Sequence, residues 1–276
     1  MTDAQQISET IPLEGANDRR FWRRWRITIG RAAFGIGCLA LWQWSADAIG
    51  HIWIASPAQI IMRIGELIRS GELLRHTTIT LEEAFFGYIL GAVTAIILPF
   101  LLRLSPRLMR ALDPYMGTAM ALPKLALAPL IILWFGIGIL SKVLFVASLV
   151  FFLVFFNVLA GVLSTERGLV AMARVVGARE WLIAREVVWN TTVPYLFTAL
   201  KVSLPRGISG AVVAEFLAAD GGLGYYIETS RDQADVVGIF TGIVIVTIIV
   251  LLVNAVVQRV QLRALSWRPV DREMVL

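Results

Sequence analysis

A chain of 276 residues that is 58 % hydrophobic and only 16 % charged, with a mean hydropathy of +0.75, is not a soluble domain, where about a quarter of residues carry charge. It reads as an integral membrane protein. The formal charge of +5 does not imply nucleic acid as a partner, because the basic residues fall where membrane topology puts them.

The first 26 residues are polar and end in RRFWRRWR. The apolar stretch that follows lacks a small-x-small cleavage site and reads as a retained span, 27–49, with Arg31 and Asp47 near its ends. It holds the single cysteine, Cys38, which can form no intrachain disulfide and reads as a small buried side chain. Residues 57–79 carry Ile60, Ile61, Ile64, Leu67 and Ile68 at helical spacing, which predicts an amphipathic helix along the extracytoplasmic membrane surface.

A second span, 84–102, has no charge. Residues 125–163 contain one charge, Lys142. As one helix they would be about 58 Å long, nearly twice the roughly 30 Å hydrocarbon core. The stretch must fold back, and FGIG at Phe135–Gly138 is the natural corner. That gives a third span, 115–135, and a fourth, 141–163. The fifth is 193–219 and the sixth, again without charge, is 236–258.

Gly87 and Gly91, and Gly238 and Gly242, form two G-x-x-x-G steps that predict close helix approach. Pro99, Pro123, Pro129 and Pro205 sit inside spans, where neighbouring helices or a cavity must satisfy the freed backbone groups. With six spans, seventeen lysines and arginines fall on one side and four (Arg63, Arg69, Arg75 and Arg231) on the other. The positive-inside rule then puts both termini, the 1–26 and 263–276 tails and the 164–192 loop in the cytoplasm.

Little in the sequence points to catalysis. The two histidines, His51 and His76, form no metal-ligand pattern. The three lysines follow Pro123, Ser141 and Leu200, so no Gly-Lys-Ser/Thr phosphate loop exists. GLG at Gly222–Gly224 lacks a strand-to-helix context. The chain therefore reads as neither an enzyme nor a cofactor-binding protein. Charges inside spans are expensive and become candidates for a translocation path: Lys124, Lys201, Arg206 and Glu215. The plainer alternative has Lys124 and Lys201 snorkelling to a surface and Glu215 reaching the outer one. Lys201 and Glu215 share a helix face but lie about 21 Å apart along it, too far to pair.

The charged loop MARVVGAREWLIAREVVWNTTVP, Met172–Pro194, resembles the coupling loop of ABC importer permeases. That family's pattern is Glu-Ala-Ala, three residues, Gly, nine residues, an aliphatic, one residue, Leu-Pro. Ala171, Met172 and Ala173 stand at the Glu-Ala-Ala positions, Gly177 at the glycine and Val187 at the aliphatic. Trp189-Asn190 replaces Leu-Pro, and Pro194 matches a later proline. PKLALAPLIILWFGIGILSK, VVAEFLAADGGLGYYI and RALSWRP are similar to the nitrate/sulfonate/taurine-type branch. The resemblance runs from about Ile27 to Pro269.

The resemblance implies an all-α, type I ABC importer permease of the bacterial inner membrane. Its implied partners are two ATPase subunits that bind ATP and magnesium, a second permease copy and an extracytoplasmic solute-binding protein. The implied solute is a sulfonate, taurine, nitrate or pyrimidine precursor. It also implies that two short helices, 169–176 and 179–189, flank Gly177 and dock on an ATPase, with Ala178 and Trp181 among the docking side chains. Two other readings are a self-sufficient secondary transporter, disfavoured by the absence of a visible repeat or central carboxylate pair, and a membrane scaffold that transports nothing.

Overall fold

The computed structural model describes residues 14–50 and 52–264, and every regular element among them is helical. The tail before residue 14, His51, and residues 265–276 with most of RALSWRP lie outside the described residues. Two compact units divide the chain, 1–61 and 62–276.

The first unit is dominated by α1 (Glu14–Ile49). Phe34, Ile36 and Leu41 on it are exposed. Cys38, expected to be buried, is exposed with them. Lipid tails are as apolar as a protein core, so an apolar membrane helix need not be covered by protein. Ser56 then opens α2 (Pro57–Ser70) with a reciprocal cap. The Gln59 N–H donates to Ser56 Oγ at 3.3 Å, and the Ser56 N–H donates to Gln59 Oε1 at 3.0 Å. Pro57 takes the first helical position, where its missing N–H costs nothing.

The expected amphipathic segment 57–79 is divided. α2 ends at Ser70, Gly71 turns with φ 79°, and α3 (Glu72–Arg103) begins. The second unit continues with α4 (Pro106–Ala121), α5 (Ala128–Phe135), α6 (Ile139–Leu163), α7 (Arg167–Val175), α8 (Glu180–Ile183), α9 (Trp189–Leu217), α10 (Leu223–Asp232) and α11 (Val236–Ala264).

Four helical stretches among the described residues are long and apolar enough to cross a membrane: 72–103, 139–163, 180–217 and 236–261. They contain the expected second, fourth and sixth spans and nearly all of the fifth. The expected third span, 115–135, is not one helix. α4 stops at Ala121, Leu122 is extended (ψ 130°), Pro123 follows, and a tight turn at Lys124–Leu127 leads into α5. Proline disfavours helical backbone in the residue before it and has no N–H to continue the ladder. The corner lies where FGIG places it, with α5 ending at Phe135, Gly136 at φ 79° and α6 starting at Ile139.

α3, α6 and α9 pack together. Val146, Val150, Val154 and Val158, one turn apart on α6, are wholly enclosed. Ala92 and Ala95 of α3 and Ala199 and Ala211 of α9 belong to the same core. The first G-x-x-x-G step makes this closeness possible. A Cβ on Gly91 would lie 2.5 Å from the Ala147 carbonyl oxygen, and one on Gly87 would lie 2.5 Å from Val146 Cβ. The second step serves a different neighbour, because a Cβ on Gly242 would overlap Ile227 of α10. That packing holds α10 against α11.

Candidate functional site

Two places in the second unit concentrate polar chemistry. The first is the turn around Gly177. α7 ends there in a Schellman motif: the Gly177 N–H donates to the Arg174 carbonyl and the Ala178 N–H to the Ala173 carbonyl, both at 2.9 Å. Gly177 has φ 84°, a left-handed conformation that glycine adopts without steric cost. A Cβ there would meet nothing within 4 Å, so the glycine serves the backbone turn and not a close approach. Arg174 Nη2 pairs with Glu180 Oε1 at 2.8 Å, and Arg103 Nη1 reaches Glu180 Oε2 at 3.7 Å. Glu180 thus ties α7 and α8 to the end of α3.

The named loop residues divide into two faces. Ala173, Ala178 and Val187 pack against the core. Met172, Val175, Val176 and Trp181 are 67 %, 88 %, 87 % and 74 % exposed, and Ala171 is exposed beside them. Pro194 is half-buried within α9. The second short helix is not separated from the span that follows. α8 passes through a wide turn at Ala184–Val188 directly into α9, one helical stretch from 180 to 217. Asn190 keeps a backbone N–H where the family pattern has a proline, and the same stretch also runs through Pro194 and Pro205. The Asn190 side chain also donates to the Glu186 carbonyl at 2.7 Å.

The second place is a buried charge cluster. Glu215, for which one expectation was a position reaching the outer surface, does not reach it, for it is 1 % exposed. Thr80 Oγ1 donates to Glu215 Oε1 at 2.7 Å, and the Gly224 N–H donates to Glu215 Oε2 at 2.5 Å. The Leu223 N–H donates to Thr80 Oγ1 at 2.8 Å, and the Gly222 N–H to His76 Nδ1 at 3.1 Å. Three successive N–H groups of the glycine-rich loop are therefore held by side chains of α3 and α9. Gly222 has φ 108°, and a Cβ on it would overlap the Glu215 carboxyl. GGLG is a close-approach motif around a carboxyl group.

Beside Glu215 lie Glu83 and Lys142, which sequence reasoning passed over. Lys142 Nζ donates to Glu83 Oε1 at 2.5 Å. Glu83 lies one turn along α3 from Thr80, which bonds Glu215, and the two carboxyl groups act on one another electrostatically, so they form a carboxylate pair. It sits where α3 and α6 begin and α9 ends, at one end of the bundle and not at its middle. A signal for Glu83 was present: it lies one turn before Gly87 and two before Gly91, on the face that packs against α6. On α10, outside the spans, burial pushes the Tyr226 phenol up from its ordinary value.

The other path candidates lie apart. Lys124 occupies the turn before α5, with Nζ 3.4 Å from the Leu122 carbonyl and 5.1 Å from the centre of the Phe152 ring. Lys201 is half-buried and Arg206 exposed on α9. Among the described residues no group of three or more His, Cys, Asp or Glu could hold a metal ion.

Comparison with known proteins places this architecture. The chain is 31 % identical over 236 residues to the putative aliphatic sulfonates transport permease protein SsuC of Bacillus subtilis, covering 83 % of this chain and 84 % of that one. It is 32 % identical to the formylaminopyrimidine transport permease protein ThiX of Halalkalibacterium halodurans, covering 85 % and 94 %. It is 34 % identical to the riboflavin transport system permease protein RibX of Chloroflexus aurantiacus, covering 77 % and 80 %. A chain of the inward-facing MetNI methionine ABC transporter shares the fold, with a TM-score of 0.55 at 21 % identity over 72 % of this chain and 95 % of that one. Residues 87–264 match the family described as the binding-protein-dependent transport system inner membrane component. With more than half of its length inside that match, the chain belongs to this family, as the multi-pass permease component of an ABC-type importer.

Proposed function

We propose that this chain passes a small polar solute of the sulfonate, taurine, nitrate or pyrimidine-precursor kind, delivered by an extracytoplasmic binding protein. The relatives' names, which span aliphatic sulfonates, formylaminopyrimidine and riboflavin, support a small polar organic cargo. The topology we infer has six spans with both termini cytoplasmic: α1 supplies the first and the broken α4–α5 segment the third. The lopsided distribution of basic residues supports it.

In this reading segment 164–192 is the coupling loop. Two copies of the chain pair, and each docks one ATPase subunit that binds ATP and magnesium. The observation that carries the proposal is the Gly177 turn, which presents Val175 and Val176 outward at the end of α7 and Trp181 outward at the start of the stretch 180–217 that continues into a span. A contiguous apolar patch facing water marks an interaction site. The helical stretch from 180 to 217 links the docking end directly to the span. Closure of the ATPase pair then shifts the spans between inward-open and outward-open states. Lys124, Lys201 and Arg206 are the candidates for charges that an anionic solute would meet, and Glu215, enclosed at the end of the bundle, is a candidate for a gate at the path's end.

The test is reconstitution. The chain in liposomes with its cognate ATPase and binding protein should take up solute only when ATP is supplied to the ATPase side. Uptake by the chain alone, without nucleotide, would instead favour a self-sufficient secondary transporter, and neither uptake nor ATPase association would favour a scaffold.

A further inference from the structure

The buried cluster at the end of the bundle has an unbalanced charge. Glu83, Lys142 and Glu215 are 2 %, 4 % and 1 % exposed, and they are two carboxyl groups against one ammonium. Among the described residues, the other charges acting on this cluster leave the imbalance in place. Asp220, in the loop after α9, acts on Glu83 with the same sign. His76 accepts a hydrogen bond at Nδ1, so it stands there as the neutral ring. Arg75 and Glu72, farther along α3 and both acting on His76, offset one another. One oxygen in the cluster is also unpartnered: Glu83 Oε2 is fully enclosed and makes no hydrogen bond. Its other oxygen is taken by Lys142, and both Glu215 oxygens are taken by Thr80 and Gly224.

We propose that this cluster is a proton-binding site, in which a single proton is shared between the Glu83 and Glu215 carboxyl groups. The proton supplies the hydrogen bond that Glu83 Oε2 lacks and makes the buried set neutral: one carboxylate, one carboxylic acid, one ammonium. An uncompensated charge enclosed among apolar helices is strongly disfavoured, and two adjacent carboxylates do not both ionise readily. A metal ion does not fit the same place. Hard cations take about six to eight oxygen ligands, and only one carboxyl oxygen here is open. The site has a mechanical consequence. Because Glu215 holds the Gly224 N–H and Thr80 holds both Glu215 and Leu223, the proton keeps α3, α9 and the Gly221–Gly224 loop in register. Its loss sets two negative charges against each other and releases the loop from α3. This proposal does not depend on which solute is carried.

Infrared spectroscopy of the full-length chain in lipid nanodiscs at neutral pH tests it, reading the C=O stretch of protonated carboxyl groups with carbon-13-labelled glutamate. The wild type should show one protonated glutamate, Glu83→Gln and Glu215→Gln none, and Lys142→Met two. The wild-type spectrum alone can overturn the proposal, independent of whether any variant folds, if it contains no protonated glutamate. A band that survives in both glutamine variants would place the proton elsewhere. A band absent in sodium buffer but present in sodium-free buffer would reassign the site to a metal ion. A single unchanged band in Lys142→Met would refute the charge balance.

Discussion

Glu83 and Lys142, 59 positions apart in the chain, meet at 2.5 Å with side chains 2 % and 4 % exposed. The contact joins the start of α3 to the start of α6, the two helices whose backbones the Gly87–Gly91 step brings together a turn further on. Breaking a buried ion pair by removing one partner costs about 3–5 kcal/mol, because the enclosed survivor loses its partner and must bind a proton to lose its charge. Lys142→Met should therefore lower the melting temperature of the purified chain sharply. Glu83→Leu combined with Lys142→Met, which fills the same space without charge, should recover most of the loss. Melting temperatures that fall additively in the double variant would show that the two side chains do not act as a pair.

The Gly177 turn separates backbone geometry from docking. A non-glycine residue held in the left-handed region costs about 1–2 kcal/mol, and asparagine bears it better than most. Nothing lies near a Cβ at this position, so Gly177→Asn should leave ATPase co-purification within about twofold of wild type. Gly177→Glu puts bulk and charge on the exposed face beside Val176 and Trp181. It should leave membrane insertion intact and abolish ATPase association. Normal co-purification and uptake in the glutamate variant would remove the docking role from this turn.

The G-x-x-x-G step of α3 can be tested against a control in the same protein. Gly91→Ala drives a methyl group into the Ala147 backbone, and Gly87→Ala drives one into Val146. Overpacking of this kind typically costs about 1–3 kcal/mol. Gly117, exposed on α4, has nothing within 4 Å of a Cβ, and alanine is the better helix former by about 1 kcal/mol. Thermal unfolding should rank Gly117→Ala at or above wild type and both α3 variants well below it. Equal melting temperatures for all three would mean that α3 and α6 can part without cost.

Much of this was legible in the sequence, and the reasons are local. A charge-free run longer than the bilayer must turn, and Phe135–Gly138 offered the only glycine pair near its centre. Gly177, in a charged stretch between two apolar spans, offers the left-handed turn that ends a helix. What escaped were relations between distant segments. Nothing near Glu215 says that Thr80 and Lys142, 135 and 73 positions earlier, will enclose it, and its place near a span end made a surface position the natural expectation. The broken third span escaped because hydropathy counts Pro123 as one residue among many, whereas the backbone treats it as a stop. Cys38 was misplaced because burial in a membrane protein means burial in lipid as often as in protein.

The loop between α9 and α10 provides the last test, at the level of single amides. The Gly222, Leu223 and Gly224 N–H groups donate to His76, Thr80 and Glu215, three side chains on two helices. A buried N–H that loses its acceptor pays a penalty of about 1–3 kcal/mol, which corresponds to roughly a fivefold to hundredfold faster exchange with deuterium if local opening is the route. Thr80→Val keeps the shape and removes both the acceptor for Leu223 and the donor to Glu215. Hydrogen–deuterium exchange should therefore accelerate over residues 222–224 while the α6 core around Val150 stays protected. Gly222→Ala should do the same by a different route, since its methyl group displaces the Glu215 carboxyl that anchors Gly224. Exchange at 222–224 unchanged in both variants would mean that the loop is held by its own turn and not by α3 and Glu215.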